Sequence, residues 1–209
     1  GEVIITNSQT AELCKLTENS YRDLQIAFAN QLSIFCDKND INVNEVISLA
    51  NRHPRIEILN PSCGVGGHCL PVDPYFLIDH DKDNTTLISE ARKINLNKEK
   101  FVLKKIISSI ERANYSKNTK IGVFGISYKP DVDDFRESPA LSITNNLISY
   151  FKDRYEIVIY DSFVSKDLIK KNYNINVFDY NGEELSHAIK LVNHSNFKNI
   201  NCEELINFS

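Results

Sequence analysis

The run Cys63-Gly-Val-Gly-Gly-His-Cys-Leu-Pro-Val-Asp-Pro-Tyr75 places a candidate nucleophile in a loop suited to hold it. Gly64, Gly66 and Gly67 permit backbone angles closed to other residues and let a ligand approach the main chain. Cys69 follows directly, and Pro71 and Pro74 stiffen the exit. Asp73 stands four residues after Cys69, so a turn or short helix sets thiol and carboxylate on one side. That pairing suits covalent catalysis followed by attack of a poised water. The loop is not read as a metal site, because Cys63 and Cys69 lack a second tight ligand pair. The same residues also fit a Gly/Pro loop folded around a buried cysteine.

Further candidates lie upstream. Residues 10 to 37 read as a helix, with Leu13, Leu16, Leu24, Ala27, Phe28, Leu32 and Phe35 as its apolar face. Lys15, Asn19 and Arg22 recur at spacings of four and three, forming one stripe that continues as Ile26 and Ala29. Polar groups heading a row that turns apolar suit a ligand contact at the edge of a core; a solvated face is the alternative.

The elements that must position these groups predict an α/β protein. Asn42 and Glu45 start a second helix, which His53-Pro54 ends before the cysteine loop. Residues 85 to 114 contain no Gly or Pro and predict a helix on the order of 45 Å long. Such a helix suits a connector with surface for a second subunit, and Asn95 and Asn97 could mark a bend in it. From Lys120 the pattern becomes strand (120 to 126), helix (from Ser138-Pro139 to about Lys152) and strand (156 to 161). This order implies a parallel, right-handed crossover, with further strands at 175 to 178 and 189 to 192. The expected division is a helical dimerisation domain with the cysteine loop over 1–116, then a Rossmann-like parallel-sheet domain over 117–209. The first turn of the second domain lacks Gly-x-Gly-x-x-Gly, so spacing alone does not make it an NAD site.

With 24 basic against 28 acidic residues, the net charge of −4 argues against general attraction to nucleic acid or an anionic membrane. No apolar run approaches the roughly 20 residues that cross a bilayer, and no secretory signal pattern is visible. Five cysteines without framework spacing suit reduced thiols in a cytoplasmic setting.

Three blocks, in order, resemble the nucleotide-sugar 6-dehydrogenases. They are Ala11-Glu-Leu-Cys-Lys-Leu-Thr-Glu-Asn-Ser-Tyr-Arg22, the segment from Arg52 through the cysteine loop to Leu77, and Gly125-Ile-Ser-Tyr-Lys-Pro-Asp-Val-Asp-Asp-Phe-Arg-Glu-Ser-Pro-Ala140. The cysteine-loop segment looks most like the branch acting on UDP-N-acetyl-D-mannosamine. His68, between Gly-Gly and Cys, is more typical of N-acetylhexosamine branches than of the glucose branch. Ser62-Cys63 departs from the pattern, since members often have Gly-Pro there.

The resemblance implies a UDP-sugar whose C6 alcohol is oxidised twice, with two NAD, through a cysteine thiohemiacetal and a thioester. It makes Cys69 the nucleophile and Lys15 the charge that stabilises oxygen anions. Asn19 becomes a donor or water holder, and Asp73 the carboxylate that helps activate the hydrolytic water. Arg22, His53, Arg55 and Gly66 match sugar or phosphate contacts, with Arg55 serving a neighbouring subunit's site. Tyr128, Lys129 and Lys198 match nucleotide-site positions, and Arg136 matches a residue that reaches NAD. A surface or capping role is the rival for His53, and a salt bridge to Asp133 or Asp134 is the rival for Arg136.

Members of the family also carry an N-terminal NAD-binding domain with Gly-x-Gly-x-x-Gly. Nothing of that kind precedes residue 11, and the chain opens on Gly1 without any methionine. The expectation is a stretch holding the middle and C-terminal domains, inactive alone, with NAD bound mainly by the absent domain. The expected partners are a UDP-sugar and a second copy of the chain. Two alternatives stand: a UDP-N-acetylglucosamine or UDP-glucose 6-dehydrogenase, and a non-catalytic UDP-sugar-binding dimerisation module.

Overall fold

The structure is a computed structural model that describes residues 3–208. Two compact units emerge: Gly1–Asn60 with His68–Asn95, and Pro61–Gly67 with Leu96–Ser209. The division falls inside a helix, whereas the boundary expected from sequence at residue 116 follows that helix's end.

The first unit is helical. Helix α1 (Ser8–Lys38) starts where Asn7 accepts the Thr10 amide at 2.8 Å. Helix α2 (Val43–Ala50) is capped by Asn42, which accepts the Asn44 and Glu45 amides. Helix α3 (Asp73–His80) begins where the Cys69–Asp73 spacing predicts a turn or short helix, and has Pro74 in its first turn, where a missing N–H costs nothing. Helix α4 (Thr86–Ala113) is one continuous helix that includes Asn95 and Asn97.

One expectation is overturned on α1. Leu13, Phe28 and Phe35 of its predicted inner face are exposed, at 53%, 54% and 59%. The side it buries is Asn19, Ser20, Asp23, Ala27, Ala29, Asn30, Ser33 and Cys36. The reason is a polar network with α4. Burial of a charged residue is tolerated where its partners are bonded, and here Asp23 finds Arg92 and Asn95. The apolar stripe Tyr21, Phe28 and Phe35, spaced by heptads, is left outward.

The second unit is a five-stranded parallel sheet in the order β3-β2-β1-β4-β5. Its strands are β1 (Lys120–Phe124), β2 (Glu156–Tyr160), β3 (Val177–Phe178), β4 (Leu185–Lys190) and β5 (Cys202–Asn207). Helix α5 (Pro139–Phe151) makes the expected crossover, with Ser138 Oγ accepting the Leu141 amide. Helix α6 (Lys166–Tyr173) and β5 were not anticipated. Both are short. The core joins Ile121, Val123, Ile143, Leu147 and Ile189 to Val102, Ile106 and Ile110 of α4. The apolar positions of the second half of α4 are therefore spent inside this unit. Among the described residues no helix is long and apolar enough to cross a membrane.

Candidate active site

In the helical unit the structure joins residues 54 apart in sequence: Asn19 Nδ2 donates to Asp73 Oδ2 at 2.5 Å. Asp73 opens α3, and its amide donates to the Cys69 carbonyl at 2.8 Å. The thiol-bearing residue thus lies one helical turn from the carboxylate, as the four-residue spacing required. Cys69 is half-buried and free. One turn beyond Asn19, Asp23 is fully buried and accepts from Arg92 Nη1 at 2.5 Å and from Asn95 Nδ2 at 2.8 Å. Burial pushes the Asp23 carboxyl up, against the pull of the Arg92 guanidinium and the Asn95 amide. Asn30 donates to Asn95 at 3.0 Å and extends the network. These contacts fix the rotation of α1 about its axis, which turns Asn19 towards Asp73.

The other candidates of this unit are less engaged. Lys15 is exposed on the same helix, its ammonium 3.3 Å from Glu18. Arg22 is exposed. His53 is exposed and its Nδ1 accepts the Arg55 amide at 3.3 Å, a local turn contact. Arg55 borders a cleft of about 260 Å³ with Tyr21, Phe28 and Glu57.

In the sheet unit, residues 61–67 lie against the loop that joins β1 to α5. The Gly67 amide donates to the Arg136 carbonyl at 3.0 Å. A Cβ on Gly66 would lie 2.6 Å from the Glu137 carbonyl and 2.9 Å from Tyr128 Cβ. Gly66 therefore uses its missing side chain for close packing on this loop, in addition to any approach by a ligand. Cys63 joins the core beside Val102 and Ile106, which gives it the buried-cysteine role. Burial, with Glu99 nearby, pushes its thiol up to about 12. Lys98 is buried as well, and burial drives its ammonium down to about 8.

Tyr128 is half-buried, with the Lys129 ammonium 5.5 Å from its ring centre. Lys129 and Lys198 are exposed. Arg136 is gripped by Asp134 through Nε at 3.0 Å and Nη2 at 2.6 Å, the rival use foreseen for its charge. No Gly-x-Gly-x-x-Gly turn follows β1. Gly125 packs so closely on Val192 that a Cβ there would lie 2.5 Å from Val192 Cβ. The turn offers no open glycine backbone for a pyrophosphate, so this unit alone does not fit NAD.

Sequence reasoning missed the Asp23–Arg92–Asn95 network and a second one around Asp161 and His194. A lone arginine on the apolar face of α4 was the available signal for the first, and Asp161 at the end of an apolar strand for the second.

Residues 9–97 match the model of the UDP-glucose/GDP-mannose dehydrogenase family central domain, and residues 122–208 match that family's UDP binding domain. The chain belongs to this family. It is 43% identical over 212 residues to a UDP-N-acetyl-D-mannosamine dehydrogenase of Campylobacter jejuni, covering 100% of this chain and 51% of the relative. Among solved structures, a UDP-N-acetyl-D-mannosamine dehydrogenase from Pyrococcus horikoshii superposes with a TM-score of 0.81 at 33% identity, covering 100% of this chain and 50% of that one. A UDP-N-acetyl-mannosamine dehydrogenase from Staphylococcus aureus gives 0.77 at 43% identity, covering 96% and 46%. The chain spans about half the length of the family members it matches.

Proposed function

We propose that this chain is the central and UDP-binding part of an NAD-dependent UDP-N-acetyl-D-mannosamine 6-dehydrogenase, a cytoplasmic enzyme supplying a uronate precursor for surface polysaccharide. What carries the reading is the Asn19–Asp73 hydrogen bond with Cys69 one turn away, on a chain of this family. The sulfur of Cys69 bonds to C6 once the alcohol has become an aldehyde, and leaves when water cleaves the resulting thioester. A thiolate suits both steps, since it attacks carbonyls well and departs readily. Lys15 stabilises the oxygen anion at each stage, and turns from Glu18 to do so. Asn19 and Asp73 hold the hydrolytic water, with Asp73 accepting its proton. Arg22, His53, Arg55 and Gly66 contact the sugar and phosphates, while Tyr128, Lys129 and Lys198 contact the nucleotide.

NAD, when bound, accepts hydride at both oxidations. In a protein of the relatives' length it would be held mainly outside these 209 residues, with Arg136 as this chain's contribution. The partner is a second copy of the chain. The exposed heptad stripe on α1 supports that surface better than α4, whose apolar face is buried.

Calorimetry with UDP and an absorbance assay for NADH test the proposal. The 209-residue chain should bind UDP weakly and reduce no NAD with any sugar nucleotide. NADH production by the purified chain would overturn the assignment of NAD binding, and absence of any UDP binding would overturn the nucleotide site.

A further inference from the structure

We propose that His194 is a positioning residue for nucleotide binding, its imidazole clamping residues 127 to 131 in the shape that presents Tyr128 and Lys129. The inference rests on reading that loop as part of the nucleotide site. His194 itself is 1% exposed and touches no candidate ligand contact directly. Its ring stacks on Phe163 with centres 4.7 Å apart. On one side Nε2 lies 3.1 Å from Asp161 Oδ2 and 3.3 Å from Ser127 Oγ. On the other side Nδ1 accepts the Asp131 amide at 2.9 Å.

The partners agree on one tautomer. Asp161 is fully buried and collects the amides of Ile126 at 2.8 Å, Phe163 at 2.9 Å and Val164 at 3.2 Å. So surrounded, it acts as a carboxylate that only accepts, and Nε2 must carry the hydrogen. The Ser127 hydroxyl gives its own proton to the Lys129 carbonyl at 2.7 Å, so it too can only accept from Nε2. Nδ1 is then bare and free to receive the Asp131 amide.

The ring therefore grips the loop at both ends, Ser127 and Asp131, with Tyr128 and Lys129 between them. Asp131 sits at φ 58°, a left-handed conformation that needs outside support in a residue with a side chain. His194 supplies part of that support, and the Ser195 amide donating to Asp131 Oδ1 at 2.8 Å supplies the rest.

Two substitutions separate the halves of the clamp. In His194→Asn the Oδ1 stands where Nδ1 was and keeps the Asp131 amide. In His194→Gln the Nε2 stands where the ring Nε2 was, keeping Asp161 and releasing Asp131. UDP is titrated into the 209-residue chain by calorimetry, and exchange of the Asp131 amide is followed without ligand. His194→Gln should weaken UDP binding about tenfold, the loss of one good hydrogen bond, and speed Asp131 exchange. His194→Asn should stay within roughly threefold of the unmodified chain, because it retains the loop contact. Equal losses in both variants, tracking their melting temperatures, would reduce His194 to a general core residue and overturn the proposal. An Asp131 amide still protected in His194→Gln would do the same. Failure of the unmodified chain to bind UDP would remove the nucleotide role, while the exchange rate would still decide the clamp.

Discussion

Lys98→Met should stabilise the protein at neutral pH, and the gain should fade as pH rises. The ammonium of Lys98 is taken into the sheet unit beside Cys63, and burial lowers it from its ordinary 10.5 to about 8. Below pH 8 the lysine is charged in both folded and unfolded chains, and the folded chain carries the full desolvation penalty. A shift of this size corresponds to roughly 3 kcal/mol, at ~1.4 kcal/mol per pH unit. Methionine keeps the length and flexibility of the stem without the charge. It forfeits the contact with the Phe101 ring, 5.5 Å from the ammonium. That contact is worth ~0.5–2 kcal/mol and offsets part of the desolvation penalty. Between pH 8 and 10.5 the unfolded lysine holds more proton than the folded one, so the unmodified protein gains stability from this group as pH rises. The difference between variant and parent should therefore shrink across that window. Cys63, pushed up to about 12, loses the folded state some stability above pH 9, but it does so in both proteins and largely cancels. Urea melts followed by circular dichroism at pH 7 and pH 9.5 measure both quantities. A variant less stable than its parent at pH 7, or a gain unchanged by pH, would refute the desolvation argument.

Gly66→Ala should destabilise by ~2–3 kcal/mol and weaken UDP binding, because the new methyl meets a backbone carbonyl and the Pro139 ring, which cannot swing aside; an unchanged melting temperature would count against it. Asp161→Asn should cost ~1–3 kcal/mol at pH 7. Although burial pushes Asp161 up, the His194 bond and the backbone amides hold it below the usual carboxylate range. Its contribution is therefore present above the unfolded carboxyl's pKa and lost as pH falls through the folded one, so the penalty should vanish in acid melts. In an enzyme also carrying the NAD-binding half, Cys69→Ser should stop at the aldehyde; full uronate production would remove Cys69 from the mechanism. Sedimentation at micromolar concentration should find a dimer, and Phe28→Glu on the outward stripe of α1 should convert it to monomer. A monomeric parent would exclude that interface.

What the sequence alone decided was local. The Ser138-Pro139 start, the Asn42 cap and the strand at 156–160 are written in neighbouring residues, because caps and apolar alternation act within a turn or two. The Cys69–Asp73 relation was legible for the same reason, since helix geometry fixes what lies four residues away. The family was legible too, in three ordered blocks. Tertiary structure decided which face of α1 turns inward. Hydrophobicity nominated Leu13, Phe28 and Phe35, but Asp23 pairs with Arg92, 69 residues away, and that bond outweighs an apolar count no single helix can interpret. The different fates of Cys63 and Cys69 were equally hidden, since burial depends on what packs from elsewhere in the chain. So was the grip of His194 on Ser127 and Asp131 across more than sixty positions of sequence. Charge, hydrogen-bond capacity and turn preference belong to residues; whether they are exposed, paired or spent depends on long-range packing, which only the folded chain supplies.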